Sequence, residues 1–132
     1  EIADANRLVV IEDASHALGA KYLDTTIGDC SYSDMTVFSF HPVKSMTTAE
    51  GGAVLTNHKT IYEKLISFRQ HGVTRDTNLF VNQNADMGSW YYEMHSLGYN
   101  YRMTDFQCAL GISQLNKLAG VNPRTINGTP LI

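Results

Sequence analysis

Leu8, Val9, Val10 and Ile11 form an uninterrupted apolar run that closes on two carboxylates, Glu12 and Asp13. A run without alternation predicts a strand covered on both faces, with Asp13 at its C-terminal end. Thr36 to Phe40 (TVFSF) is β-branched and aromatic, and Pro42 cannot continue a central ladder, so a second strand is predicted to end near His41. After the Gly51-Gly52 pair, Gly52 to Thr56 (GAVLT) predicts a third short strand. The loop between the second and third strands carries Lys44.

Two helices follow from spacing and caps. Asn57 is placed to cap a helix whose apolar positions Ile61, Leu65 and Phe68 recur at helical intervals, and Gly72 supplies its stop. Thr104 and Gln107 form a capping box ahead of a second helix, Asp105 to Leu118, with a broad apolar stripe of Phe106, Leu110, Ile112, Leu115 and Leu118. Strands alternating with helices predict an α/β layer structure, in which ligands gather at the carboxyl ends of the strands. Asp13 and the Lys44 loop both belong there. Asp76 to Ser89 is polar and reads as a long loop, and AGVNPRTINGTPLI from Ala119 onward has no period and is expected to be coil.

Composition narrows the function classes. The chain has 132 residues, 43% apolar and 17% charged, which is one domain's worth. Thirteen acidic against ten basic side chains, net −3, give no basic surface for nucleic acid. The longest apolar run is far short of the roughly 20 residues that cross a bilayer. Two distant cysteines, Cys30 and Cys108, suggest neither a disulfide framework nor a zinc knuckle, and a cytoplasmic location is expected. Because the chain opens at Glu1 and runs almost at once into a strand-like stretch, it is expected to be a piece of something larger.

Lys44, read alone, is an ordinary solvated charge. Its company changes that: Asp13 ends a neighbouring strand, Ser39 lies just upstream, and Gly51-Gly52 would let the backbone approach a ligand. Pyridoxal phosphate needs such a set, an amine for its aldehyde, a carboxylate for its ring nitrogen and hydroxyls for its phosphate.

Three blocks, IEDASHALGAKY, TVFSFHPVKSMTTAEGGAVLTN and LGYNYRMTDFQCALGISQLNKL, resemble in order and spacing the DegT/DnrJ/EryC1 family of pyridoxal-phosphate-dependent sugar aminotransferases. The resemblance runs from about Leu8 to Leu118. It implies that residues 1–118 are part of the large domain of the type I aminotransferase fold, a mixed, mostly parallel sheet with flanking helices, and that 119–132 is an irregular tail outside the family pattern. Within the family, SFHPVKSMTTAEGGAV and the WYYEM before LGYNYR most resemble members that aminate a UDP-linked 4-keto-6-deoxy N-acetylhexosamine with L-glutamate as donor.

Carried onto this sequence, the resemblance implies that Lys44 is the Schiff-base lysine and proton shuttle, and that Asp13 pairs with the pyridinium nitrogen. It also implies that His16 lies beside the cofactor ring, that Ser39 binds the phosphate, and that Asn100 reaches the phosphate of a neighbouring subunit, hence a homodimer with shared sites. Each has a plainer reading: a strand-end carboxylate, a surface histidine, a serine satisfying backbone, a turn asparagine. Arg102 either holds an anion or is structural. Three rivals stay open: amination of another keto-sugar nucleotide, a dehydrating relative, which would carry histidine in place of Lys44, and a catalytically silent dimerisation or regulatory module.

Overall fold

The computed structural model describes residues 1–83 and 88–118, together with the backbone of 124–126 and 129–131. Contacts divide the chain into two units, Glu1–His58 with Met103–Ile132, and Lys59–Arg102. Each is described by itself.

The first unit opens with a short helix, α1 (Ile2–Asn6), closed by Arg7 in the left-handed conformation. Its sheet has three strands, β1 (Ile11–Asp13), β4 (Met35–Ser39) and β5 (Gly52–Leu55), in the order β1-β4-β5. A two-stranded hairpin, β2 (Lys21–Tyr22) with β3 (Thr25–Thr26), lies between the first two in sequence. β1 and β4 run parallel and β4 and β5 antiparallel, so the sheet is mixed. The parallel register Asp13↔Val37 brings the carboxyl ends of β1 and β4 to one edge, where the Lys44 loop leaves β4.

β4 is the best-covered strand. Thr36 and Phe38 are buried and their neighbours half-buried, the two-residue alternation of a strand with one face on the core. The double-sided cover expected for Leu8 to Ile11 is not found. Regular pairing begins only at Ile11, and Leu8, Val9 and Ile11 are each more than half exposed. Among the described residues β4 is the one ladder partner of β1, while Leu8 still closes α1 through its N–H to the Ala3 carbonyl. An apolar run reports composition, and only neighbours supply cover.

α3 (Asp105–Leu118) has the bounds its sequence predicts. The capping box forms: the Thr104 N–H donates to Gln107 Oε1 at 2.8 Å, and the Gln107 N–H to Thr104 Oγ1 at 3.3 Å. The apolar stripe, however, stays open, with Phe106 88% exposed and Ile112 65%. Gly111 is the buried residue of this helix, set against Thr48 and Met46. In the tail, β8 (Arg124–Ile126) and β9 (Thr129–Leu131) pair antiparallel, which corrects the expectation of coil there. Thr125 and Ile126 are β-branched, and the intervening Asn127-Gly128 is the dipeptide that most favours a hairpin. The expectation for 119–123 lies outside the described residues.

In the second unit, α2 (Lys59–Arg69) is followed by Gly72 at φ +66°, whose N–H donates to the Ser67 carbonyl at 2.8 Å, the stop the sequence predicts. α2 begins at Lys59, so the residue directly before it is His58 and not the predicted cap Asn57, whose amide donates to the Asp29 carbonyl at 2.9 Å. β6 (Val73–Thr74) and β7 (Glu93–Met94) form a hairpin that closes the polar loop. That loop holds a turn of 3₁₀ helix, Thr77–Leu79, capped by Asp76. No helix among the described residues is long and apolar enough to cross a membrane.

Candidate active site

Asp13 ends β1 and its chain turns at once. The Asp13 Oδ1 accepts the Ser15 N–H at 3.0 Å and the Ser15 hydroxyl at 2.6 Å, the side-chain-to-backbone turn that Asp favours. The turn brings His16 back toward the loop after β4, where Lys44 Nζ lies 2.6 Å from His16 Nε2. With Lys44 as an ammonium, that contact requires Nε2 to accept, which puts the imidazole proton on Nδ1. Lys44 is half-buried, and Asp13 and His16 are exposed.

The Asp13 carboxyl is held below its usual range by the two hydrogen bonds from Ser15, against an opposing effect of burial, with the nearby Lys44 and His16 as still smaller lowering causes. The structure therefore brings Asp13, His16 and Lys44 into one cluster, although they come from one strand and two separate loops. Ser39 is the last residue of β4, half-buried, and its hydroxyl accepts the His41 N–H at 3.4 Å. Asn100 lies in the second unit, in an isolated antiparallel bridge with Gln70. Arg102 is exposed there.

The Lys44 loop is braced by threonines that the sequence reading passed over. Thr47 Oγ1 donates to the Phe40 carbonyl at 3.1 Å and accepts the Ala49 N–H at 2.9 Å. Thr48, 1% exposed, donates its N–H to that same carbonyl and its hydroxyl to the Glu50 carbonyl at 2.8 Å. Gln107, from the capping box of α3, donates its amide to the Glu50 carbonyl at 2.9 Å. The Gly51-Gly52 pair leaves room for this bracing. A Cβ on Gly52 would stand 2.7 Å from the Phe38 carbonyl oxygen, and one on Gly51 would stand 2.5 Å from Thr48 Oγ1. The Thr-Thr pair after Lys44 was the available signal, since such hydroxyls commonly tie turns to backbone.

Thr36 Oγ1 on β4 donates to Glu12 Oε2 on β1 at 2.8 Å, giving this fully buried hydroxyl an acceptor, and Ser33 Oγ and Cys30 Sγ also lie within hydrogen-bond reach of it. A pocket of about 300 Å³ opens at the β2–β3 hairpin, lined by Glu12, Tyr22, Thr25 and Tyr32 among others. None of the predicted site residues lines it. Among the described residues no group of His, Cys, Asp and Glu is arranged to hold a metal ion.

Comparison with known proteins gives this geometry a context. The sequence pattern of the DegT/DnrJ/EryC1/StrS aminotransferase family matches residues 1–128, reaching past Leu118. An uncharacterised protein of Methanocaldococcus jannaschii is 47% identical over 89% of this chain and 29% of its own length. A UDP-4-amino-4,6-dideoxy-N-acetyl-beta-L-altrosamine transaminase of Campylobacter jejuni is 44% identical over 89% of this chain and 28% of its own. Among solved structures, Helicobacter pylori PseC, an aminotransferase of pseudaminic acid biosynthesis, superposes with a TM-score of 0.76 at 37% identity, over 90% of this chain and 29% of that one. A Streptococcus pneumoniae protein solved in its PLP form gives 0.70 at 32% identity, over 92% of this chain and 29% of that one. The chain thus spans under a third of the length of these relatives.

Proposed function

This chain belongs to the DegT/DnrJ/EryC1/StrS aminotransferase family, and on that premise we propose that it carries the cofactor-holding part of a nucleotide-sugar aminotransferase. The reaction is transfer of an amino group from L-glutamate to C4 of a UDP-linked 4-keto-6-deoxy N-acetylhexosamine, with pyridoxal 5′-phosphate as cofactor. The reading includes a cytoplasmic homodimer, with Asn100 serving the partner's site. The observation that carries it is the cluster at the edge of β1 and β4: an amine at 2.6 Å from an imidazole, beside a carboxylate held ionised.

The donor set fits the cofactor by its chemistry. Lys44 offers a primary amine, Asp13 an anion for a protonated ring nitrogen, His16 a flat imidazole, and Ser39 with the loop backbone hydrogen-bonding groups for a phosphate. When bound, pyridoxal phosphate supplies an electrophilic carbon for amines and an electron sink for the carbon that loses its proton. The chain's own part is to present and to move protons. Ser15 keeps Asp13 charged, so its capacity to hold a cationic ring nitrogen persists at mildly acid pH. His16 holds Nζ of Lys44 in place. Lys44, released from that bond as a free amine, would accept the proton from the amino-bearing carbon in the glutamate half and, as an ammonium, would supply a proton at sugar C4 in the other half. The bracing threonines keep the loop from swinging as the amine works.

Adding pyridoxal phosphate to the intact protein is expected to give a visible absorbance band that borohydride bleaches, with the label mapping to Lys44 and lost in Lys44→Ala. Absence of a label would reduce the chain to a silent module. A panel of UDP- and dTDP-linked keto-sugars with glutamate tests the substrate; turnover of only dTDP-sugars would overturn the UDP assignment.

A further inference from the structure

Gly98 stands two residues before Asn100 in LGYNYR. In the structure, Gly98 lies against the turn that ends α2. A Cβ there would overlap the Gly72 nitrogen and stand 2.6 Å from the His71 carbonyl carbon. Gly72 is buried, at φ +66°, and a Cβ on it would overlap the Ser96 carbonyl oxygen. Both clashes are with backbone, which cannot swing aside. The two glycines let two chain segments touch where any other pair would force them apart.

Contact at that point sets the register on either side of Asn100. The Tyr99 N–H donates to the Phe68 carbonyl at 2.6 Å and the Tyr101 N–H to the Arg69 carbonyl at 3.0 Å, while the His71 N–H donates back to the Tyr99 carbonyl at 2.9 Å. The last carbonyls of α2, which lack partners within the helix, are thereby satisfied by the residues flanking Asn100. The Tyr99 and Tyr101 rings stack at 4.8 Å with an interplanar angle of 12°. Residues two apart in an extended segment share a face, so this stack commits Asn100 to the opposite one. The bridge Gln70↔Asn100 completes the set.

We infer that Gly98 is a positioning residue for Asn100: its close approach to the His71-Gly72 turn fixes the backbone from which Asn100 reaches the cofactor phosphate. This rests on the proposed role of Asn100. The test is retention of pyridoxal 5′-phosphate by the intact protein, read as its dissociation constant. Asn100→Ala is expected to weaken retention by about tenfold, the scale of one lost hydrogen bond to a charged group. Gly98→Ala is expected to weaken it by a similar factor, with the borohydride label on Lys44 still forming at saturating cofactor. The double variant is expected to bind no more weakly than Asn100→Ala, because a positioning effect vanishes with the group positioned. Wild-type retention in Gly98→Ala alone, or losses that multiply in the double variant, would overturn the inference and leave the role of Asn100 standing. Wild-type retention in Asn100→Ala would bring down both. Should Gly98→Ala not fold, hydrogen exchange on the unaltered protein decides: the Tyr99 and Tyr101 amides are expected to be protected, and exchange at free-peptide rates would overturn the inference.

Discussion

The Asp13 carboxyl is lowered chiefly by Ser15, two residues along the chain, and only to a lesser extent by Lys44 and His16. This ordering makes a prediction at the level of single side chains. Ser15→Ala should move the Asp13 carboxyl titration upward by more than Lys44→Ala does, as followed by carboxyl-detected NMR. A larger shift in Lys44→Ala would contradict the account. The sign for stability follows: a carboxyl depressed in the folded state stabilises above its unfolded value and loses that contribution as pH falls. The bond between Asp13 and Ser15 spans two positions, whereas that between His16 and Lys44 spans 28 and was not legible. No local pattern encodes which of many possible partners a side chain meets.

Secondary-structure elements here are held by side chains at their ends. In α3 the capping box should make Thr104→Ala cost about 1 kcal/mol, measured by denaturant melts; an unchanged midpoint would show that the box contributes nothing. On β7, the Glu93 side chain, 11% exposed, accepts four hydrogen bonds, from the Val81 and Asn82 N–H groups, the His95 ring and the Tyr91 hydroxyl. Its carboxyl falls from 4.5 to about 2, with His95 the largest cause. The stabilisation this gives the β6–β7 hairpin is therefore complete above 4.5 and drains away as pH drops toward 2. Emission from Trp90, the single tryptophan, should shift across that window and lose most of its pH dependence in Glu93→Gln. Helix bounds and caps were legible because they depend on residues three or four apart; the Glu93 cage spans 12 positions and was not.

For the molecule as a whole, the buried apolar residues among those described are Ala14, Phe38 and Met46, while Leu8, Ile11, Phe106 and Ile112 stand open. Phe38→Ala should cost about 3–5 kcal/mol, comparable to the whole stability of a marginal domain, so loss of a cooperative thermal transition is expected by circular dichroism. A transition surviving near its original temperature would refute this. The exposed apolar side chains should also bind a hydrophobic dye strongly, and Phe106→Ser should reduce the signal.

By itself the sequence determined the three strands of the sheet and the two longer helices, the capping box of α3 and the stop of α2, and the set of residue types at the strand ends, because these depend on neighbours in the chain. It also carried the family resemblance, since that lies in linear motifs. Only the tertiary structure decided that His16 meets Lys44, that Gly51 and Gly52 are closely packed against the loop and β4, and that Gly98 lies on the end of α2. The same holds for the run before Glu12 and the stripe of α3, which stay uncovered. Burial and partnership are properties of surfaces brought together across many residues, and an apolar pattern states only what a surface is made of.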